Sequence, residues 1–284
     1  MTSKAQPQFG KVTIIGNANG DWQAATHGYT IIFNGTIASG DNIINICNGP
    51  YAGSTEDFVV TGPHSDWLTT NLSIVARELE LKLKCWPSSG LVSFVLFSRL
   101  NCDLALERMS LLPSLKRSED MSLKQHLPCV VHNWLGERRI AIEVHQQSNA
   151  QQAMWPALLL NETAAQKTDF QDQKSSSVTQ VIPITDSILH QIHDPYQLMI
   201  ELTLQNQSSH AALNNLRYLN QLPQSAWLAV VTQQKLLDVE QVFFDQYPEK
   251  LTGFWYLSDN EASTWLDKIR FNLALCQQHL SDYQ

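Results

Sequence analysis

The chain has 284 residues, 43% of them apolar and 16% charged, with a formal net charge of −8. This composition suits a folded protein of one large or two smaller domains. It argues against a nucleic-acid-binding role, which needs clustered Lys and Arg to neutralise phosphates. The charge is uneven: residues 1–150 carry 12 basic and 13 acidic side chains, and residues 151–284 carry 7 and 14. An anionic ligand therefore meets less opposition in the first half.

Five cysteines (Cys47, Cys85, Cys102, Cys129 and Cys276) form no Cys-x-x-Cys pair, so neither a thiolate zinc site nor a redox dithiol is indicated. Buried, reduced thiols are expected. Met1 to Phe9 is polar and lacks the apolar centre of a signal peptide, and no apolar run approaches the ~20 residues of a spanning helix. A cytoplasmic protein without a transmembrane segment is the expectation.

In chain order, Lys11–Ile15 is a short β-branched run ending at Gly16-Asn17-Ala18-Asn19-Gly20. Tyr29–Phe33 ends at Asn34-Gly35, Asn42–Cys47 ends at Asn48-Gly49-Pro50, and Phe58–Thr61 ends at Gly62-Pro63. Each reads as a buried strand that stops at a loop of small polar residues. Asp66–Lys84 has the three- and four-residue apolar spacing of a helix. Pro87-Ser88-Ser89-Gly90 reads as a turn opening an apolar helix over Ser88–Arg99. Leu104–Leu112 reads as a strand stopped by Pro113, residues 114–126 as a loop, and Leu135–Val144 as a helix carrying Glu137, Arg138 and Arg139. Glu137 has the spacing of a solvated helix face, and Arg138 with Arg139 that of a surface pair.

The second half begins with Gln/Ser-rich connectors at 146–152 and 166–177. Val178–Ile184, Trp227–Thr232 and Leu251–Leu257 read as strands. Helices are expected over Ser187–Leu222 with a break at Asp194-Pro195, over Gln233–Tyr247, and from a capping box at Ser258-Asp259-Asn260-Glu261 to about His279. The expected fold class is α/β: a Rossmann-like, mostly parallel sheet with flanking helices over 1–150, plus a smaller α/β lobe over 151–284.

In an open parallel sheet, ligands bind outside the carboxyl ends of the strands. Asn17, Asn34 and Asn48 all stand there, offering neutral donors and acceptors to a base, a sugar hydroxyl or a phosphate. The amides opening the Ser88-Ser89-Gly90 helix are a seat for a carboxylate or phosphate. His132 is the best general-base candidate, and Glu137, five residues on, is placed to orient its imidazole. Read singly, each element is also an ordinary structural feature: Asn-Gly dipeptides make turns, and Ser-Gly starts helices. Together they suit transfer of a group from a nucleotide donor to an alcohol.

The ordered set resembles the CMP-sialic acid-dependent sialyltransferases, both the animal type and the small bacterial type, over about residues 11–145. Ile14-Ile15-Gly16-Asn17 is similar to that family's opening motif, and Phe33-Asn34 to its second asparagine. Asn48-Gly49-Pro50-Tyr51 is similar to a third strand-end segment of the bacterial members. Pro87-Ser88-Ser89-Gly90 with Cys102-Asp103 resembles the family's small motif, and His132 with Glu137 its His, four residues, Glu motif. The resemblance implies a CMP-sugar donor held by Asn17, Asn34 and Asn48, and its carboxylate or phosphate held by Ser88, Ser89 and Gly90. It implies His132 as base toward a glycan hydroxyl, inversion at the anomeric carbon, and no metal or other cofactor. Two alternatives stay open. A non-catalytic member, binding a nucleotide or a protein partner, is suggested by Ser110 in place of a family glycine and by the lack of a tyrosine between Leu106 and Pro113. An unrelated α/β protein with chance loop matches is the other.

Overall fold

The computed structural model describes residues 6–18, 20–34, 38, 40–100, 102–116, 128–147, 153–161, 194–203, 210–244 and 255–282. The chain divides into two compact units: residues 1–113 with 131–159, and residues 114–130 with 160–284.

The first unit is built on five strands: β1 (Lys11–Ile15), β2 (Tyr29–Phe33), β3 (Ile43–Asn48), β4 (Phe58–Thr61) and β5 (Asp103–Glu107). Their order in the sheet is β4-β3-β2-β1-β5. β1, β2, β3 and β5 run parallel, and β4 closes one edge antiparallel to β3. Four-residue runs of β1 and β2 are buried throughout (Val12 to Ile15, Thr30 to Phe33), each mostly β-branched, as strands covered on both faces must be. The expected parallel sheet with flanking helices is what forms.

The helices of this unit are α1 (Ser65–Leu83), α2 (Ser89–Ser98) and, after the short α3 (Pro128–Val131) at the boundary between the units, α4 (Trp134–Gln147). α1 packs on β4 and α2, while α2 reaches β1 and β3 and packs on α4. α2 buries eight of its ten residues, so its apolarity on all sides reflects its place between layers. The β1–β2 and β2–β3 connections hold no helix among their described residues. Trp22 and Ala38 from these loops pack instead on a cluster of Ile15, Ile32 and Ile43.

The expected strand at Leu104–Leu112 ends at Glu107, where Arg108 turns into the left-handed region at φ 54°. Residues 153–158 extend that side of the sheet. Met154 bonds to Leu104 and Leu106, and Trp155 donates its indole N–H to Met109 O at 2.6 Å while meeting Phe94 edge-on.

The second unit is helical among its described residues: α5 (Pro195–Thr203), α6 (His210–Gln221), α7 (Gln224–Leu228), α8 (Gln233–Glu240) and α9 (Asn260–Asp282). α9 packs on α6, α7 and α8. It is capped by Asp259, whose Oδ1 accepts from Glu261 and Ala262 N–H at 3.0 Å. The expected strand at Trp227–Thr232 is instead the end of α7 and a turn. Pro223 starts that helix, and Trp227 is fully buried against Tyr196, with ring centroids 5.3 Å apart. Of the expected strand at Leu251–Leu257, residues 255–257 belong to a 3-10 turn. Residues 251–254 and the expected strand at Val178–Ile184 lie outside the described residues. Among the described residues, no helix is long and apolar enough to cross a membrane.

Candidate functional site

The chain passes outward from β1 to β2 to β3 and returns through α1 and α2 to β5 on the other side of β1. The reversal opens a crevice at the carboxyl ends of the central strands. A cleft of about 380 Å³ lies there, lined by Ile15, Gly16 and Asn17 after β1, Ile32 and Asn34 at the end of β2, Trp22 of the intervening loop, and Arg108 after β5. Two of the three strand-end asparagines therefore share one cavity.

Local chemistry explains the arrangement. Asn34 adopts φ 50°, a conformation asparagine tolerates, and its Oδ1 accepts the Asn48 N–H at 3.2 Å. That bond ties the ends of β2 and β3. Asn48 does not line the cleft. Its Oδ1 accepts from Tyr51 N–H at 3.5 Å, within the turn that leads to β4. Gly16 is required by close approach: a Cβ there would stand 2.3 Å from Arg108 O. Gly16 N–H donates to Glu107 O at 2.8 Å, Ala18 N–H donates to Arg108 O at 3.3 Å, and the Arg108 guanidinium donates back to Ala18 O through Nε at 2.7 Å and through Nη2. The β1 loop and the end of β5 are thus stitched together.

Sequence reasoning missed Arg108 and Trp22. Placing Leu104–Leu112 in one strand put Arg108 inside it, where no strand-end role could be read. Trp22 carried no motif. Its signal was position alone, an aromatic residue in the loop after β1.

The second group of site residues centres on α2 and α4. Asn133 opens α4: its Oδ1 accepts Gly136 N–H at 3.0 Å, and its Nδ2 donates to Leu83 O at the end of α1 at 3.3 Å. This holds His132 and Glu137 against the start of α2. His132 Nδ1 lies 2.7 Å from Trp86 O. A carbonyl only accepts, so Nδ1 carries the proton and the neutral ring keeps its lone pair on Nε2. Burial lowers the pKa of His132 below its usual value, and the bond to Trp86 O, which favours the protonated ring, offsets this only in part.

Glu137 is fully buried rather than part of a solvated face. Its carboxylate accepts Ser88 N–H at 2.8 Å and the Ser88 hydroxyl at 2.5 Å, and lies 4.0 Å from His132 Nδ1. Burial raises its pKa to about 7, against the opposing pull of the two Ser88 bonds. Ser88 Oγ also caps α2 by accepting Leu91 N–H at 3.2 Å. Both polar groups of Ser88 are thus engaged within the chain, Ser89 is buried beside it, and the space beyond Gly90 is filled by Met109 Sδ, 2.5 Å from where a Cβ would stand. A Cβ built at Gly16 would also stand 2.8 Å from Met109 Cβ, so Met109 borders both positions.

Arg138 is buried too, not half of a surface pair. Nη1 donates to Ser110 O at 2.7 Å and Nη2 to Leu158 O, and burial lowers its pKa to about 10. Among the described residues, Cys47, Cys85, Cys102 and Cys276 are free thiols, and no group of three His, Cys, Asp or Glu side chains is disposed to hold a metal. No protein-family model, curated protein or solved structure matches the chain.

Proposed function

We propose that the first unit is a sialyltransferase-like glycosyltransferase that moves sialic acid, or a related keto-sugar acid, from a CMP donor to a glycan hydroxyl. The observation that carries this reading is the meeting of Asn17 and Asn34 in one cleft with Arg108 at the strand-order reversal. The exposed lining of that cleft is mostly polar, with the two amides as neutral hydrogen-bonding groups and Trp22 as an aromatic neighbour, a combination that suits the hydroxyls and base edges of a nucleoside. His132 lies outside the described lining of the cleft, at the start of α2; in this reading, neutral and with Nε2 as acceptor, it takes the proton of the acceptor hydroxyl. The oxygen attacks the anomeric carbon, the bond to the phosphate oxygen breaks, and CMP leaves. Glu137 favours the imidazolium as it forms, 4.0 Å from the ring.

The test is acceptor-dependent release of CMP from CMP-N-acetylneuraminic acid with a panel of galactosides. Turnover that falls about 10²–10⁴-fold in His132→Ala supports the reading. Full activity in that variant removes His132 as the base. One observation favours a second reading, nucleotide binding without transfer: Glu137 occupies Ser88, so the expected seat for the donor's carboxylate is taken from within. CMP binding with no turnover on any acceptor supports that alternative.

A further inference from the structure

We infer that Arg108 is the phosphate-binding residue of the cleft, recognising the 5′-phosphate of a nucleotide through the outer edge of its guanidinium. The inference rests on reading the cleft as a nucleotide site and names the group that gives the site its charge selectivity. Asn17 and Asn34 are neutral, and among the described residues lining the cleft Arg108 alone carries charge. A guanidinium has two edges that can each grip an anion with paired N–H groups. The Nε/Nη2 edge of Arg108 is spent on Ala18 O, which fixes the plane of the group. The Nη1/Nη2 edge is the other fork. Among the described residues, Nη1 has no hydrogen-bond partner, and no carboxylate lies within ion-pair distance of the side chain.

The backbone supports the same conclusion. Arg108 holds φ 54°, a conformation that disfavours residues other than glycine and asparagine, and it is kept there by the paired bonds with Ala18. Without that turn β5 would run on, and alternating side chains would carry residue 108 away from its present place. The turn sets a cation at the carboxyl edge of the sheet beside Asn17, which lines the same cleft.

The experiment is calorimetric titration of the full chain with CMP and, separately, with cytidine. Wild type is expected to prefer CMP by at least about tenfold, with the preference falling as salt rises. In Arg108→Met that preference disappears while cytidine affinity holds, so cytidine reports that the cleft is intact. Arg108→Gln, which still donates to Ala18 O, is the second variant, and it too is expected to lose the preference. Asn17→Ala is expected to weaken both ligands alike. A CMP preference that survives in Arg108→Gln overturns the inference and leaves the nucleotide reading standing. Binding of neither ligand to wild type overturns both.

Discussion

Glu137 and Ser88 grip each other at two points: one carboxylate oxygen takes the Ser88 amide at 2.8 Å, and the other takes its hydroxyl at 2.5 Å. Glu137 is in the first turn of α4, and Ser88 caps α2. One buried carboxylate therefore serves the amino ends of two helices, where their dipoles favour negative charge. Its complete burial nonetheless dominates and raises its pKa to about 7.

That balance sets a pH dependence. The folded pKa lies above the ordinary value of 4.5, so the contribution to stability is fully present below pH 4.5 and is lost as pH rises through about 7. Against Glu137→Gln, wild type is expected to lose up to about 3 kcal/mol between pH 4.5 and pH 8. Urea unfolding of both proteins at several pH values checks this, and parallel profiles would contradict it.

His132 has the opposite sign. Its folded pKa is below the usual 6.5, so its contribution is present above pH 6.5 and is lost as pH falls toward the folded value. The proposed transferase activity is expected to hold down to slightly acid pH and then decline as Nε2 is protonated. The pH profile of kcat/KM reads this directly, since it reports the free enzyme's base. A decline centred well above pH 6.5 would assign the base elsewhere.

A Cβ added at Gly16 or at Gly90 would meet Met109 in either case, but the two substitutions should differ. An alanine Cβ at Gly16 meets backbone, Arg108 O at 2.3 Å, and the β1 loop must move. At Gly90 it meets Met109 Sδ, within a flexible side chain, at 2.5 Å. Gly16→Ala is expected to cost about 3 kcal/mol and Gly90→Ala about 1 kcal/mol, with CMP binding lost only in the first. Equal thermal shifts in the two variants would count against the tight β1–β5 junction.

Arg138→Met leaves the Ser110 and Leu158 carbonyls without their donor in a buried place. A loss of about 3 kcal/mol is expected, with Arg138→Lys recovering only part, because an ammonium cannot span two carbonyls as a fork does. Denaturant midpoints of the two variants decide it. A neutral Arg138→Met would mean that the two carbonyls find other donors.

Strands β1 to β4 were legible because each is a short apolar run closed by Gly or Asn, and α1, α2 and α4 because each is an apolar or amphipathic run at helical spacing; β5 was legible as a strand but not in where it ends. The strand-end position of Asn17 and Asn34 followed from that. The turn at Arg108 was not legible: it is held by bonds to Ala18, 90 residues earlier, and no local residue type announces it. Glu137 and Arg138 looked like surface charges because their spacing alone cannot reveal that α2 and residues 153–158 cover them. Trp227–Thr232 has strand-like composition, but the fit of Trp227 against Tyr196 overrides it.

The most direct measurement of the central claim is thermal unfolding with and without CMP, with other nucleotides as controls. Ligand at about 100 times its Kd adds roughly 2.7 kcal/mol of stability to the form that binds it. The expected result is a CMP-selective rise that His132→Ala keeps and that Asn17→Ala and Asn34→Gly lose, glycine being chosen because it preserves the φ of 50° at residue 34. No rise with any cytidine nucleotide, or a rise equally large in Asn17→Ala, would contradict it.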